Sequence, residues 1–331
     1  MKLTLKFMVI SRKLLFVGLV LMSGSILGQT SKPSNKAKSK QPTSTSTKKK
    51  ATTIKSTVTL TPASSDNSLL WQISGRGLTM PSYIYGTMHI LCDSDATLSP
   101  ALKKVIHDCA QIFFEVDMDD MQSMMGAIQY ARMNEGIKIS DLLTPIEYER
   151  VKKYFTDHKS PIPFVMMNRF KPYFVSAMIS EGILDCPVKS SVEQKIMSEN
   201  SDSGKEILGL ESLEFQASLF DSIPYEKQAK DLLSYIDSID SYRQTSMQME
   251  ALYKKQQVAN LDTLLQKSDP GMTQYMDLLL YDRNARWAMQ IPEQIFEKKT
   301  LFAVGAGHLG GEKGVISLLK KQGFTLTPLK N

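Results

Sequence analysis

Cysteine and long apolar runs are both scarce in this sequence of 331 residues. The three cysteines, Cys92, Cys109 and Cys186, are too few for a disulfide-rich scaffold or for a zinc module built on clustered cysteines. No stretch reaches the roughly 18 uninterrupted apolar residues that are typical of a transmembrane helix. With 42% apolar and 22% charged residues, the composition is that of an ordinary globular protein. At most one disulfide can form, and one thiol is then left over.

Acidic residues are missing from the first 65 positions, and this absence divides the chain. Those positions carry 12 of the 40 Lys and Arg residues and no Asp or Glu. The rest of the chain holds the other 28 basic residues against all 34 acidic ones, so the formal charge of +6 arises in the N-terminal segment. An acidic remainder argues against non-specific binding to nucleic acid. We therefore expect no nucleic-acid partner.

Residues 1–28 have the pattern of an export signal. Four basic residues up to Lys13 precede the short apolar run 14–22, and small residues follow up to Gly28. We expect cleavage near Gly28 and an exported protein that is periplasmic, secreted or associated with the cell envelope. The alternative is an uncleaved membrane anchor, for which the apolar run is short. Export would place the cysteines where disulfides persist.

Residues 29–67 are rich in Ser, Thr, Lys and Pro and have almost no apolar content. Such a segment cannot bury enough surface to order itself, so the pattern predicts a flexible linker. Its lysines also suit an electrostatic contact with an anionic envelope surface. Residues 68–331 are then expected to form the folded domain.

Strand and helix patterns alternate at both ends of this domain, and helical patterns fill its middle. The strand patterns cover 70–73, 83–85, 112–116, 301–304 and 324–326, the first two as a hairpin. Helices are predicted at 100–109, 118–134, 145–158, 172–183, 190–199, 211–220, 225–243, 247–267, 271–298 and 311–321. These units predict an α/β fold with a mixed, mostly parallel sheet and a large helical insertion or cap.

Three polar residues follow or end apolar strand patterns. His89 comes directly after one predicted strand, His308 after another, and Glu115 lies near the end of a third. Ligand sites in open α/β sheets form outside the carboxyl ends of the strands, so parallel neighbours would bring these side chains into one crevice. Two histidines and one carboxylate are a common ligand set for a catalytic divalent metal. The alternative is that each is a structural residue with a hydrogen-bonded or charged partner.

An arginine on an apolar helix stripe adds to this pattern. Arg283 shares one face of the predicted helix 271–298 with Trp287 and Ile291. A guanidinium there is costly unless it meets an acid or an anionic ligand. Arg283 therefore either forms a structural ion pair or, together with Asn284, orients a ligating carboxylate or binds the substrate.

Other chemistries have weaker support in the sequence. Gly305, Gly307 and Gly310 match a dinucleotide fingerprint, but no acid follows roughly 20 positions on. The sequence contains no nucleophile elbow of the Gly-x-Ser-x-Gly type, no His-Glu-x-x-His zinc motif and no Walker motif. Cys92 lies three residues past His89, but nothing visible activates it as a nucleophile.

Five short motifs, in this order and spacing, resemble the TraB/PrgY/GumN family, which includes the Tiki proteases that act on Wnt ligands. They are Tyr85-Gly86-Thr87-Met88-His89, Phe114-Glu115-Val116-Asp117, Gly209-Leu210-Glu211-Ser212, Asp282-Arg283-Asn284 and Val304-Gly305-Ala306-Gly307-His308-Leu309-Gly310-Gly311. The resemblance covers about residues 68–330.

The resemblance implies a fold related to erythromycin-esterase and ChaN-like proteins, and a metal-dependent protease that uses manganese or cobalt. His89 and His308 match the histidines of the family, Glu115 its strand-end glutamate, and Arg283 with Asn284 its late Arg-Asn pair. Glu211 matches its Leu-Glu motif. The central segment 185–188 departs from the usual Gly-Leu-Asp pattern, as does Met88 from the smaller branched residue usual there.

Two functions follow from these patterns. The first is a metal-dependent hydrolase, most simply a peptidase, in which His89, Glu115 and His308 hold or neighbour Mn²⁺ or Co²⁺. Glu115 is alternatively the general base, and Arg283 with Asn284 completes the predicted catalytic group. Its partner would be a peptide or protein substrate. The second is a non-catalytic exported binding protein that sequesters a peptide or glycan.

Overall fold

The computed structural model describes residues 59–63, 65–158, 160, 162–268 and 273–331. The predicted export signal and most of the predicted linker therefore lie outside the described residues, and both stay predictions. The described end of the linker joins the sheet, because Pro62 bridges Leu329 and the Ala63 N–H donates to the Pro328 carbonyl.

A six-stranded sheet forms the centre of the domain. The strands of the described residues are β1 (Leu70–Ser74), β2 (Ser82–Thr87), β3 (Leu91–Cys92), β4 (Gln111–Val116), β5 (Lys189–Ser190), β6 (Glu206–Glu211), β7 (Thr300–Gly305) and β8 (Thr325–Pro328). The spatial order is β6-β4-β7-β2-β1-β8, with β3 and β5 in a separate ribbon. The first four are mutually parallel, and β1 is antiparallel to both its neighbours. The predicted mixed, mostly parallel sheet is thus confirmed.

Helices surround this sheet and fill the middle of the chain. They are α1 (Pro100–Asp108), α2 (Met121–Tyr130), α3 (Ile139–Leu142), α4 (Pro145–Asp157), α5 (Phe164–Met167), α6 (Pro172–Ile183), α7 (Val192–Asn200), α8 (Leu213–Ser218), α9 (Tyr225–Asp237), α10 (Ile239–Lys254), α11 (Val258–Ser268), α12 (Asp282–Glu297) and α13 (Val315–Lys321). Turns of 3₁₀ helix span Asn134–Gly136, Leu219–Ser222 and Ala306–His308, and a π-helical turn spans Asp277–Tyr281. Within the described residues no helix is long and apolar enough to cross a membrane.

Local sequence signals set several of these boundaries. Helix α1 begins as predicted, with Pro100 at its first position and the Ser99 hydroxyl accepting from the Leu102 N–H at 3.0 Å. Helix α7 begins with a capping box between Ser191 and Gln194. Each cap satisfies backbone N–H groups that the first turn of a helix leaves without a partner.

The described residues form two apolar cores. The larger packs β1, β2, β4, β6 and β7 against α1, α12 and α13. The smaller lies wholly among helices from 131–183 and 217–239, where Phe155 stacks on Phe164 with ring centroids 5.2 Å apart. Strands β2 and β4 are buried along their full length, which fits their apolar sequence in the sheet interior.

Several sequence predictions need correction, among them the helix 247–267, which is divided between α10, ending at Lys254, and α11, beginning at Val258. Strand β6 was missed, and the predicted helix 211–220 begins only at Leu213, since residues 206–211 pair with β4 at the sheet edge. The predicted helix 225–243 ends at Asp237, where Ser238 leaves the helical conformation. The predicted helix 271–298 is a π-helical turn followed by α12, among its described residues.

Candidate functional site

The predicted site residues lie around one cavity at the carboxyl end of the parallel strands. β2 and β4 both flank β7, so the chain after β2, the end of β4 and the chain after β7 meet at one edge. His89, Glu115 and His308 line a cavity of about 370 Å³ together with Arg283 from α12. Asn284 does not line the cavity, and it contacts His308 from behind.

Glu115 is a buried carboxylate with three hydrogen-bond donors. Its Oε1 accepts from the Gly305 N–H at 2.8 Å, and its Oε2 accepts from Arg283 Nη2 at 2.5 Å and from Gln216 Nε2 at 3.0 Å. Burial by itself would raise the pKa of this carboxyl. The Arg283 charge, with the two histidines, outweighs burial and holds the pKa well below its usual range. Glu115 is therefore an anion at neutral pH.

Arg283 joins two acidic residues across the site. Besides Glu115, it donates to Glu211 Oε1 through Nε at 2.8 Å and Nη2 at 2.5 Å, and through Nη1 to the Leu279 carbonyl at 2.9 Å. The guanidinium also lies over the Trp287 ring, 4.8 Å from its centroid. The structure therefore shows the buried ion pair that was one of the two alternatives for Arg283, and its role towards a ligand or substrate stays a prediction.

His308 is a buried, neutral imidazole with a fixed tautomer. Its Nδ1 lies 2.6 Å from Asn284 Oδ1, and the Asn284 amide is oriented because its Nδ2 donates to the Lys313 carbonyl at 3.0 Å. An amide oxygen only accepts, so Nδ1 carries the hydrogen and Nε2 keeps a lone pair. Burial lowers the pKa of His308 to about 3, although the Glu115 charge opposes this shift. Its Nε2 lies 3.5 Å from Glu115 Oε1.

His89 has the opposite electrostatic environment. Its Nδ1 lies 2.6 Å from Oε1 of the buried carboxylate of Glu193. Partial burial by itself lowers the pKa of His89, but the charges of Glu193 and then Glu115 outweigh it and raise the pKa to about 9. Without a metal ion, His89 is therefore protonated at neutral pH.

Gly305 makes room for this cluster. A Cβ at that position would lie 3.1 Å from Glu115 Oε1 and 3.6 Å from His89 Nε2. A side chain there would occupy the space that the carboxylate and the imidazole share. The absence of a side chain at position 305 therefore lets the strand end approach the carboxylate and the imidazole closely.

The two imidazoles fit a divalent ion better than the carboxylate does. Each Nδ1 faces an oxygen, from Glu193 or Asn284, which is how metal-ligating histidines are commonly oriented so that Nε2 can bind. Glu115 instead accepts hydrogen bonds from three donors, one of them a cation. Across the described ranges, no group of three or more His, Cys, Asp or Glu has the geometry to hold a metal. The imidazoles are therefore the candidates for holding an ion, but His308 Nε2 lies 3.3 Å from the donor Arg283 Nη1, which an ion would have to displace.

Some residues of the site had no sequence signal. Glu193 lies in the first turn of α7, and its sequence context shows a helix start without any link to His89. Gln216 donates to both Glu115 and Glu211, the latter at 2.9 Å, from a helix predicted only by its apolar period. Contacts between segments about 100 residues apart leave no local pattern, so a single sequence could not reveal them.

The cysteines and the remaining two histidines do not line the cavity. Cys92 and Cys186 form a disulfide, which excludes Cys92 as a nucleophile, and the thiol of Cys109 is buried. Burial raises the pKa of Cys109 to about 12. His107 on α1 and His158, directly after the end of α4, are both exposed.

Fold and site together define an α/β protein with a buried His–Glu–Arg cluster at the carboxyl edge of its parallel strands. A model of the TraB/PrgY/gumN family matches residues 69–328, and the chain belongs to this family. This confirms the resemblance seen in the five motifs.

Curated relatives carry the name of a metalloprotease. "Metalloprotease TIKI1" of Danio rerio is 23% identical, with 80% of this chain and 64% of the relative covered. "Metalloprotease TIKI2" of Xenopus tropicalis is 22% identical, with 78% and 59% covered. The chain therefore spans less than two thirds of the length of these relatives. No solved structure matches significantly, so the relation to erythromycin-esterase and ChaN-like folds stays a prediction.

Proposed function

We propose that this protein is a peptidase that depends on a divalent cation, with its reaction centre in the cavity at the strand ends. The observation that carries the proposal is the convergence of two oriented imidazoles, a buried carboxylate and a guanidinium on one cavity. The names of the curated relatives support a peptide or protein substrate.

His89 and His308 would hold the ion, and Mn²⁺ or Co²⁺ is our expectation for its identity. Such an ion would polarise the substrate carbonyl and lower the pKa of a water molecule. The protein groups behind the two imidazoles, Glu193 and Asn284, keep both rings facing the cavity. Because His89 is protonated without metal, binding of the ion must release that proton.

Glu115 and Arg283 would act as a charged pair beside the substrate carbonyl. The contact with Arg283 makes Glu115 a weak base, since an efficient general base has a pKa nearer to the working pH. Its main role would be to hold Arg283 and the Gly305 N–H in place, with Oε1 accepting a hydrogen bond from the attacking water. Arg283 would stabilise negative charge that develops on the carbonyl oxygen. Asn284 is a positioning residue for His308.

Export supports this proposal without being part of the reaction. A disulfide such as Cys92–Cys186 persists in oxidising compartments outside the cytoplasm. We therefore propose a periplasmic, secreted or envelope-associated location, with the basic N-terminal segment as a contact to an anionic surface.

The experiment is a cleavage assay on the purified protein with a diverse peptide library, followed by mass spectrometry. With Mn²⁺ or Co²⁺ we expect time-dependent cleavage that a chelator abolishes and that the His308→Ala variant lacks. His107→Ala is the matched control, because His107 is exposed on α1 away from the cavity, and it should cleave normally. Peptides that bind without any turnover would instead establish the non-catalytic binding protein.

Metal binding is tested separately by calorimetric titration with MnCl₂. We expect one ion per chain in the native protein and loss of binding in both His89→Ala and His308→Ala. His158→Ala, at an exposed helix end, should keep the native affinity. Equal binding in all four proteins would remove the metal from the proposal.

A further inference from the structure

The cavity has two halves of different chemistry. The strand ends supply the charged half described above. The helices supply an apolar wall formed by Phe220, Met249, Leu261, Leu265, Leu279 and Leu280. These side chains come from the 3₁₀ turn after α8, from α10 and α11, and from the π-helical turn, so the helical layer closes over the charged half.

This apolar wall keeps accessible surface at the cavity. Leu261 is buried, but the other five side chains are only partly buried. Apolar surface in contact with water is unfavourable, and an apolar group of a ligand would cover it. Tyr253 also lines the cavity, but its hydroxyl points elsewhere and donates to the Gly86 carbonyl at 3.0 Å. The wall therefore favours an apolar over a polar side chain.

A polar atom at the carboxyl end of β2 favours a peptide over a lipid as the ligand of the cavity. Thr87 lines the cavity, and its hydroxyl oxygen is buried without a hydrogen-bond partner among the described residues. An unpaired buried hydroxyl is costly, and a backbone N–H or C=O of a ligand would satisfy it. A bound peptide offers such a group next to an apolar side chain, whereas a hydrocarbon chain does not.

The size of the cavity limits its occupant. Its volume of about 370 Å³ is at the lower end of the range of roughly 300–1,000 Å³ for small-ligand sites. This space suits one large side chain with its flanking backbone.

We infer that the apolar wall is a substrate subsite, which receives one bulky apolar side chain, such as Leu or Met, next to the bond that is cleaved. That the bound peptide is a substrate rests on the proposed peptidase function. The binding preference for an apolar side chain does not require turnover.

The test compares two capped tripeptides, acetyl-Gly-Leu-Gly-amide and acetyl-Gly-Asn-Gly-amide, by isothermal titration calorimetry. Leu and Asn have similar shape and differ in polarity. Burial of a Leu side chain predicts a preference of roughly tenfold or more in Kd for the Leu peptide. Equal Kd values for both peptides would overturn the inference.

Two methionines on α10 provide matched variants. Met249 belongs to the apolar wall, whereas Met247 is 60% exposed. Met249→Gln should reduce the Leu-over-Asn preference by roughly threefold or more, because it makes the wall polar. Met247→Gln should leave it unchanged. The same loss in both variants, or in neither, would contradict a subsite at this wall.

The outcome also separates this inference from the proposed function. Preferential binding of the Leu peptide without cleavage of any library peptide supports the subsite and refutes the peptidase. Cleavage with no preference for Leu or Met beside the broken bond refutes the subsite and leaves the peptidase standing.

Discussion

His89 and His308 each follow one of two neighbouring parallel strands, β2 and β7, but their electrostatic environments are opposite. His308 is buried, its ring is tilted against that of Trp287 with centroids 4.4 Å apart, and its Nδ1 is bound to a neutral amide. His89 is about a third exposed and lies against the carboxylate of Glu193. Burial governs the first ring and a nearby charge the second, so their pKa values move in opposite directions. Topology brings the rings together, and their outer contacts decide which one carries a proton.

The supports of the two histidines also differ. Around His89, the β3–β5 ribbon, the Cys92–Cys186 disulfide and a hydrogen bond from the Val192 N–H to the Met88 carbonyl join the chain after β2 to the start of α7. Around His308 the support is the ion-paired Arg283 and the packed helix α12. The surroundings of His89 are thus held by a disulfide and backbone hydrogen bonds, and those of His308 by buried ion pairs.

The largest effect is expected from breaking the His308 side. Arg283→Met would leave Glu115 and Glu211 buried without their cation, and should lower the free energy of unfolding by about 3–5 kcal/mol. Arg286→Met is the control: Arg286 is 43% exposed and lies 3.9 Å from Glu211, so its loss should cost less than about 1 kcal/mol. Urea denaturation of both variants measures this difference. Equal losses would show that Arg283 is no more important than a surface charge.

Removing the disulfide tests the His89 side. The double variant Cys92→Ser/Cys186→Ser frees a loop closed over 94 positions and should lose about 2–4 kcal/mol of unfolding free energy. Its histidine ring NMR signals should shift for His89 and stay in place for His308. A shift confined to His308 would contradict the assigned supports.

Glu193→Gln sharpens the comparison at one atom. Without the carboxylate, the pKa of His89 should fall from about 9 towards its ordinary value, and that of His308 should stay low. Loss of such an orienting group typically weakens metal binding by about 10- to 100-fold, which titration with Mn²⁺ would measure. Glu199→Gln is the matched control, because Glu199 lies on α7 like Glu193 but pairs with the exposed His107 of α1. If His89 keeps its pKa in the Glu193→Gln variant, Glu193 is not the cause of the raised pKa.

The pH dependence of stability should have one limb for each histidine. Between pH 6.5 and 9 the folded chain holds a proton on His89 that the unfolded chain has lost, so stability falls as the pH rises. Between pH 6.5 and 3 His308 binds a proton in the unfolded chain, whereas the buried His308 of the folded chain does not, so stability falls as the pH drops. Glu115, whose pKa is also lowered by folding, adds to this loss of stability at the acid end.

Single-residue variants test which histidine causes the acid limb and which the alkaline limb of the pH dependence of stability. In unfolding measurements from pH 3 to 10, His89→Gln should flatten the alkaline limb and His308→Gln the limb between pH 6.5 and 4. If either variant flattens the other limb, the pKa assignments are reversed. We expect the alkaline limb to be the smaller of the two, because His89 is partly screened by solvent and His308 is buried.

The strands that carry the site were predicted well because their signals are local. The runs before His89 and His308 and around Glu115 are apolar and bounded by turn residues, and all three form neighbouring strands. Strand β6 was missed because Gly209 and its charged ends weaken the apolar pattern, and its edge position supplies pairing on one side only. The roles of Glu193 and Gln216 were missed for a different reason, since their partners are about 100 residues away.

The sequence by itself determined the strand and helix patterns at both ends, the family, and which few polar residues stand at strand ends. It did so because apolar periodicity, caps and short motifs act over a few residues. The tertiary structure decided that Arg283 would join Glu115 to Glu211, that His308 would be neutral, and that His89 would face Glu193. Those outcomes depend on burial and on distances of about 3 Å between remote segments, and such quantities exist only once the chain has folded.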